Sequence, residues 1–284
     1  MAARVTSRES RSGAILLALP ALLWLGLFFL LPLIFVVVIS FLTRGAGGSA
    51  VLPFTLAQYT RVFDTFWIIL QRTLVTAFVT TIICLVAGYP LAYFITKRQT
   101  NFGKQFALFL VILPFWTNFL IRTYAWRVIL GREGIINSTL MNAGIITEPL
   151  TLLNTEFAVI LGLVYGFLPF MVLPIYASLS RFDFRFIEAA NDLGANDWTA
   201  FWRIMLPLTM PGVVAGCILV FIPAIGTFVT SDLLGGTKGL MIGNLIQGQY
   251  SGNGNMPLGA ALSVVMMLCV VIALVFYVRF GEEK

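Results

Sequence analysis

The chain of 284 residues is 59% apolar and only 11% charged, with 18 Lys and Arg against 12 Asp and Glu. A soluble domain carries about 25% charged residues and a disordered chain needs low hydrophobicity, so the composition excludes both. A mean hydropathy of +0.95 describes an integral membrane protein. Histidine is absent, which removes imidazole catalysis and His-ligated metals.

A helix crossing the hydrocarbon core takes roughly 20 apolar residues. The charge-poor runs predict six such helices, near 14–42, 68–96, 106–129, 156–180, 205–231 and 258–279. The fold class expected is therefore an all-α integral membrane protein, with a segment 1–13 ahead of a single six-helix domain 14–284. The first run is longer than the roughly 7–15 apolar residues of a signal peptide, so it reads as a retained span. Cys84, Cys217 and Cys269 each sit in an apolar run, with no CxxC pair to suggest a metal or disulfide framework. Pro169 and Pro174 in the fourth span, and Pro207, Pro211 and Pro223 around the fifth, predict bent or broken helices. The patterns Gly162–Gly166 and Gly212–Gly216 predict close helix packing within the chain.

Orientation follows from Lys and Arg in the short loops. The densest cluster, Lys97-Arg98 with Lys104, lies in the shortest loop. Placing it in the cytoplasm puts 11 of the 18 basic residues inside, Arg4, Arg8 and Lys284 among them. Both termini are then cytoplasmic. The net charge of +6 is explained by topology, without nucleic acid. The span interiors lack the buried carboxylates, lysines and histidines of proton relays, and the sequence contains no phosphate-binding G-x-x-x-x-G-K-[ST] loop. Uphill movement of a solute would take its energy from another subunit.

The segment between the fourth and fifth spans, 181–204, predicts a short amphipathic helix from Phe184 to Leu193 with phenylalanines on one side. Gly194 suits a left-handed closing residue. Asn196 or Asp197 suits the cap of a second helix running to Pro207. Ala189 and Ala190 leave room for a partner's close approach. A well-capped surface loop with no partner is the alternative from these residues alone.

The pattern Glu188, Ala189, Ala190, Gly194, Ile204, Leu206, Pro207 resembles the loop of membrane permease subunits in bacterial ABC importers that use a binding protein. The resemblance extends over nearly the whole chain and implies the type I importer permease (MetI-like) fold, with a peripheral first helix 14–42 and a core 68–279. It implies that Glu188, Ala189, Ala190, Gly194 and Ala195, with Phe186, Ile204, Leu206 and Pro207, form a loop that docks on a separate ATPase. The chain itself would then be non-catalytic and hold no cofactor, ATP and Mg belonging to the ATPase. The partners implied are a second homologous permease in a heterodimer, two ATPase subunits, an extracytoplasmic binding protein and membrane lipid, all at the bacterial inner membrane.

The stretches Leu113–Tyr124, Gly162–Tyr165, Leu168–Met171 and Ser231–Gly236 look like those of spermidine/putrescine permeases, the first of the two permease subunits. They also resemble permeases for other small organic solutes and ferric iron. Trp116, Thr117, Asn118, Arg122, Tyr124, Thr227 and Asp232 are the candidate path residues, near the outer ends of spans. Interfacial belt or packing roles are the alternative for each. An ion-coupled secondary transporter and a scaffold subunit without a pathway are the rival classes.

Overall fold

The computed structural model describes residues 9–281. Arg4, Arg8 and Lys284, used above for orientation, lie outside the described residues. Five helices are long and apolar enough to cross a membrane: Leu17–Ser40, Trp67–Thr96, Glu156–Arg181, Asp197–Gly226 and Met256–Val275. The pair Asn101–Trp116 and Phe119–Ile129, bent by 90°, makes a sixth when taken as one broken span. The fold is mostly helical, as expected. A two-stranded antiparallel hairpin, β1 (Leu42–Arg44) with β2 (Ala50–Phe54), interrupts it after the first span.

Three expectations about the spans are corrected. The third is not one straight helix over 106–129: it breaks at Thr117, which is extended (φ −89°, ψ 144°), and restarts on the Asn118 cap. The fifth does not cover 205–231. It starts at Asp197, because the Asn196 cap begins a helix that runs through the π-helical turn Phe201–Met205, and it stops at Gly226, where Thr227 turns extended. The prolines do not break the fourth and fifth spans, which stay continuous through Pro169, Pro174, Pro211 and Pro223.

The chain divides into two compact units. The first takes the described residues to Thr65 together with Gly248–Leu268. Its first span is exposed along most of its length, with Ser40 at its end buried. The helix Ala57–Thr65 is held by polar pairs: Tyr59 OH lies 2.7 Å from Ser40 Oγ, and Asn255 Nδ2 donates to Gln58 Oε1 at 3.2 Å. Arg44 donates to the Asn253 carbonyl at 2.8 Å.

The second unit holds Phe66–Gln247 and the described residues from Cys269. The second, fourth and fifth spans pack together around Cys84, Ala92, Ile95, Met171, Ile175, Leu179 and Val220. Lipid tails are as apolar as leucine, so helix association in a membrane rests on close packing rather than on escape from water. Glycine supplies that closeness. A Cβ at Gly88 would come within 3.0 Å of Met171 Cγ, and one at Gly216 within 2.8 Å of Met171 Sδ. At Gly212 it would meet the Pro174 carbonyl oxygen at 2.6 Å. Gly212 and Gly216 thus serve contacts inside this chain, as does Gly162 against Leu234 and Thr230, whereas a Cβ at Gly166 would meet no atom within 4 Å. Tyr89 OH and Thr209 Oγ1, 2.9 Å apart, satisfy each other in the buried core.

Candidate functional site

The loop between the fourth and fifth spans is built by short-range bonds. Asp183 Oδ1 accepts from the Arg185 amide at 3.0 Å and opens the helix Arg185–Asp192. At its other end the Ala195 amide donates to Ala190 O and the Gly194 amide to Asn191 O, with Gly194 at φ +88°. This is a Schellman closure, and its left-handed residue favours glycine because Cβ crowds the backbone there. Asn196 Oδ1 then accepts from the Thr199 amide at 2.7 Å, capping the fifth span. Asn191 Nδ2 donates to Asp197 Oδ1 at 3.0 Å, which joins the two helices.

The face this helix presents differs in part from the expectation. Ala190 is turned inward and buried, so only Ala189 of the alanine pair faces out. Phe184 and Ile187 pack on the core, while Phe186 is 55% and Leu193 90% exposed. Glu188 is exposed, Ile204 and Leu206 are half-buried, and Pro207 is exposed. The outward edge is therefore Phe186, Glu188, Ala189 and Leu193. Lys97, at the end of the second span, places its ammonium 4.3 Å from the centre of the Phe184 ring and 5.8 Å from that of Tyr93. A cleft of about 840 Å³ lies between the loop and the second and fifth spans, with Tyr93, Lys97, Glu188, Asp197 and Trp202 on its wall. Lys97 entered the sequence reading only as a topological charge. Its clasp on Phe184 depends on a contact that no local pattern signals.

The candidate path residues fall into two places, and several are occupied in holding the backbone. The break in the third span leaves the Pro114 carbonyl to be satisfied. Arg122 donates to it at 2.6 Å and Thr117 Oγ1 at 2.8 Å. Asn118 Oδ1 caps the second limb through the Leu120 amide at 2.8 Å. The Arg122 guanidinium also lies 5.6 Å from the ring centres of Phe119 and Tyr165, a cation–π arrangement. Trp116 is 79% and Tyr124 52% exposed. Thr227 Oγ1 donates to the Pro223 carbonyl at 2.8 Å and finishes the fifth span.

Asp232 sits exposed in the π-helical turn Ser231–Gly235, which packs on the limb that carries Arg122 and Tyr124. No cation among the described residues forms an ion pair with it. Behind it, the buried Ser231 hydroxyl lies 2.5 Å from Gly239 O and 2.7 Å from Asn244 Oδ1. Asn244 also accepts from the Met241 amide and donates to Phe228 O. The Ile242 amide reaches Thr73 Oγ1 on the second span at 2.9 Å, and Arg72 bonds both Glu156 and the Lys238 carbonyl. Ser231, Asn244 and Thr73 were not anticipated, since their partners are distant in sequence.

Comparison with known proteins agrees with this architecture. Residues 88–282 match the family model described as binding-protein-dependent transport system inner membrane component. The spermidine/putrescine transport system permease protein PotB of Haemophilus influenzae is 45% identical over 92% of this chain and 91% of its own length. PotB of Escherichia coli K12 is 44% identical over 90% of this chain and 93% of its own. Among solved structures, a chain of a bacterial ABC transporter that imports the acidic polysaccharide alginate matches with a TM-score of 0.74 at 18% identity, over 97% of each chain. A chain of the MetNI methionine ABC transporter matches with a TM-score of 0.55 at 20% identity, over 76% of this chain and 96% of its own. Fold and sequence together show that the chain belongs to the family of inner membrane components of binding-protein-dependent transport systems.

Proposed function

We propose that this chain is a permease subunit of an ABC importer for polyamines, forming half of a solute pathway with a second, homologous permease. The observation that carries the solute class is the 44–45% identity to spermidine/putrescine permeases over at least 90% of the chain. The chain does no covalent chemistry. Two partner ATPases bind ATP and Mg and hydrolyse the nucleotide, and an extracytoplasmic binding protein delivers the solute. Both termini lie in the cytoplasm.

The loop supports this reading physically. Its helix is fixed at both ends by backbone and side-chain bonds, so force applied to the exposed edge Phe186–Leu193 passes into the fifth span rather than into loop motion. Drawing two such loops together rocks the spans between inward-open and outward-open states, a rigid-body motion about a fixed pathway. On the outer side, Asp232 is an exposed carboxylate in a turn that packs on the second limb of the third span, suited to an ammonium group that exchanges hydration for a charged partner. Arg122 keeps its positive charge, but its guanidinium is held by the Pro114 carbonyl and two rings.

The test is uptake of labelled spermidine by cells expressing the whole importer. Asp232→Asn is expected to lower uptake with the complex still assembled. Unchanged uptake in that variant removes Asp232 from the path. A binding protein that ignores polyamines and captures an anion overturns the solute class.

A further inference from the structure

The second, third and fourth spans leave between them a groove of about 560 Å³ walled by Leu91, Phe94, Phe106, Leu110 and Leu168, with Arg98 at one end. The wall is almost wholly apolar and belongs to membrane-spanning helices. Arg98 follows directly on the second span, Trp67–Thr96, so it sits where hydrocarbon gives way to headgroups. Its guanidinium carbon lies 4.1 Å from the centre of the Phe94 ring. Among the described residues, no carboxylate or carbonyl accepts from it. The helix Asn101–Ile112 begins at the same mouth, with Gly103 on the groove wall. Its positive end adds to the field there.

We propose that this groove binds one anionic phospholipid, with an acyl chain along the apolar wall and the phosphate held by Arg98. An apolar groove at hydrocarbon depth is filled by lipid rather than water. A guanidinium presents a planar fork of donors that matches phosphate oxygens. Stacked on Phe94, that fork is already oriented and its in-plane N–H groups stay free. Lys104, in the first turns of the helix that begins at this mouth, adds a second positive charge, which favours a headgroup of net negative charge over a zwitterionic one. The inference does not depend on which solute the importer carries.

The test uses the whole importer in nanodiscs of phosphatidylcholine with a minority of phosphatidylglycerol. After extraction into detergent, native mass spectrometry counts the phosphatidylglycerol retained per copy of this chain. The wild type is expected to retain one. Arg98→Gln should reduce retention about tenfold, the effect of one charge-assisted hydrogen bond, and Arg98→Lys should fall between. Ala107→Trp fills the groove wall but keeps Arg98, so it should also expel the lipid. Retention unchanged in Ala107→Trp indicates a headgroup or free-phosphate contact without the groove and overturns the proposal. So does equal retention in Arg98→Gln. A wild-type complex that retains none, as when a helix of another subunit fills the groove, overturns it without any variant. Assembly of each variant is read from the same spectra.

Discussion

The fifth span begins and ends in polar turns that are held in opposite ways. At its start, the bonds of the loop Asp183–Thr199 join residues two to six positions apart: Asp183 to Arg185, Asn196 to Thr199, Asn191 to Asp197. At its end, the turn after Thr227 is tied to Asn154, Arg72 and Thr73, each far away in sequence. The first arrangement is a preformed knob that keeps Phe186 and Leu193 exposed. The second spends its polar groups inside the molecule and leaves Asp232 outside. A local device survives when its neighbours move, whereas a turn made by distant partners moves with them. Under the proposed function, this would suit a docking loop that transmits motion and a turn at the far end of the span that responds to it.

The largest effect is expected at the outer turn. Asn244→Ala leaves the Ser231 hydroxyl short of one partner and the Met241 amide and Phe228 carbonyl without this side chain. The Met241 amide is the group left unsatisfied, at about 1–3 kcal/mol, since Ser231 keeps Gly239 O and the Phe228 carbonyl keeps the Asp232 amide, so thermal unfolding of the purified chain should shift by several degrees. An unchanged midpoint would show that the turn is not held by this network.

Next comes the third-span corner. Arg122→Met removes the bond to the Pro114 carbonyl, worth about 1.5–3 kcal/mol for a charged donor. Cysteine pairs across the corner should then cross-link over a wider range of distances. Uptake lost without any change in that range would return Arg122 to the list of solute contacts.

The loop responds differently. Gly194→Val forces a side chain into left-handed backbone, at roughly 1–2 kcal/mol, though a Cβ there meets no atom within 4 Å. The expected result is lost uptake with the chain still inserted, and recovery in Gly194→Asn, since asparagine accepts this conformation. If valine and asparagine behave alike, backbone geometry is not what the loop contributes.

The smallest effect belongs to the Arg72–Glu156 pair, 3.1 Å apart with side chains 38% and 55% exposed. Glu156→Gln should cost under about 1 kcal/mol and lose its effect at high salt. A larger, salt-independent loss would mean the pair is shielded in the assembled importer.

How much was legible in advance follows the same division. Gly194, Asn196 and the helix expected over Phe184–Leu193, found at Arg185–Asp192, were readable because capping and left-handed closure depend on neighbours within one turn. Of the bent or broken helices expected at the prolines, breaks are absent, because the membrane-packed fourth and fifth spans continue through them, and the break fell at Thr117 instead. The hairpin Leu42–Phe54 carries no alternation long enough to announce itself.

Hydropathy and capping are sums over adjacent residues, so the membrane class, the apolar runs and the loop are legible without coordinates. Helix packing turns Ala190 inward, sets Lys97 against Phe184, brings Arg122 to the broken third span, and joins Ser231 to Asn244 and Thr73 to the Ile242 amide. Buried polar atoms in a membrane protein take whatever partner the helix packing brings within about 3 Å. That partner is chosen by the packing of distant helices, which no local pattern encodes.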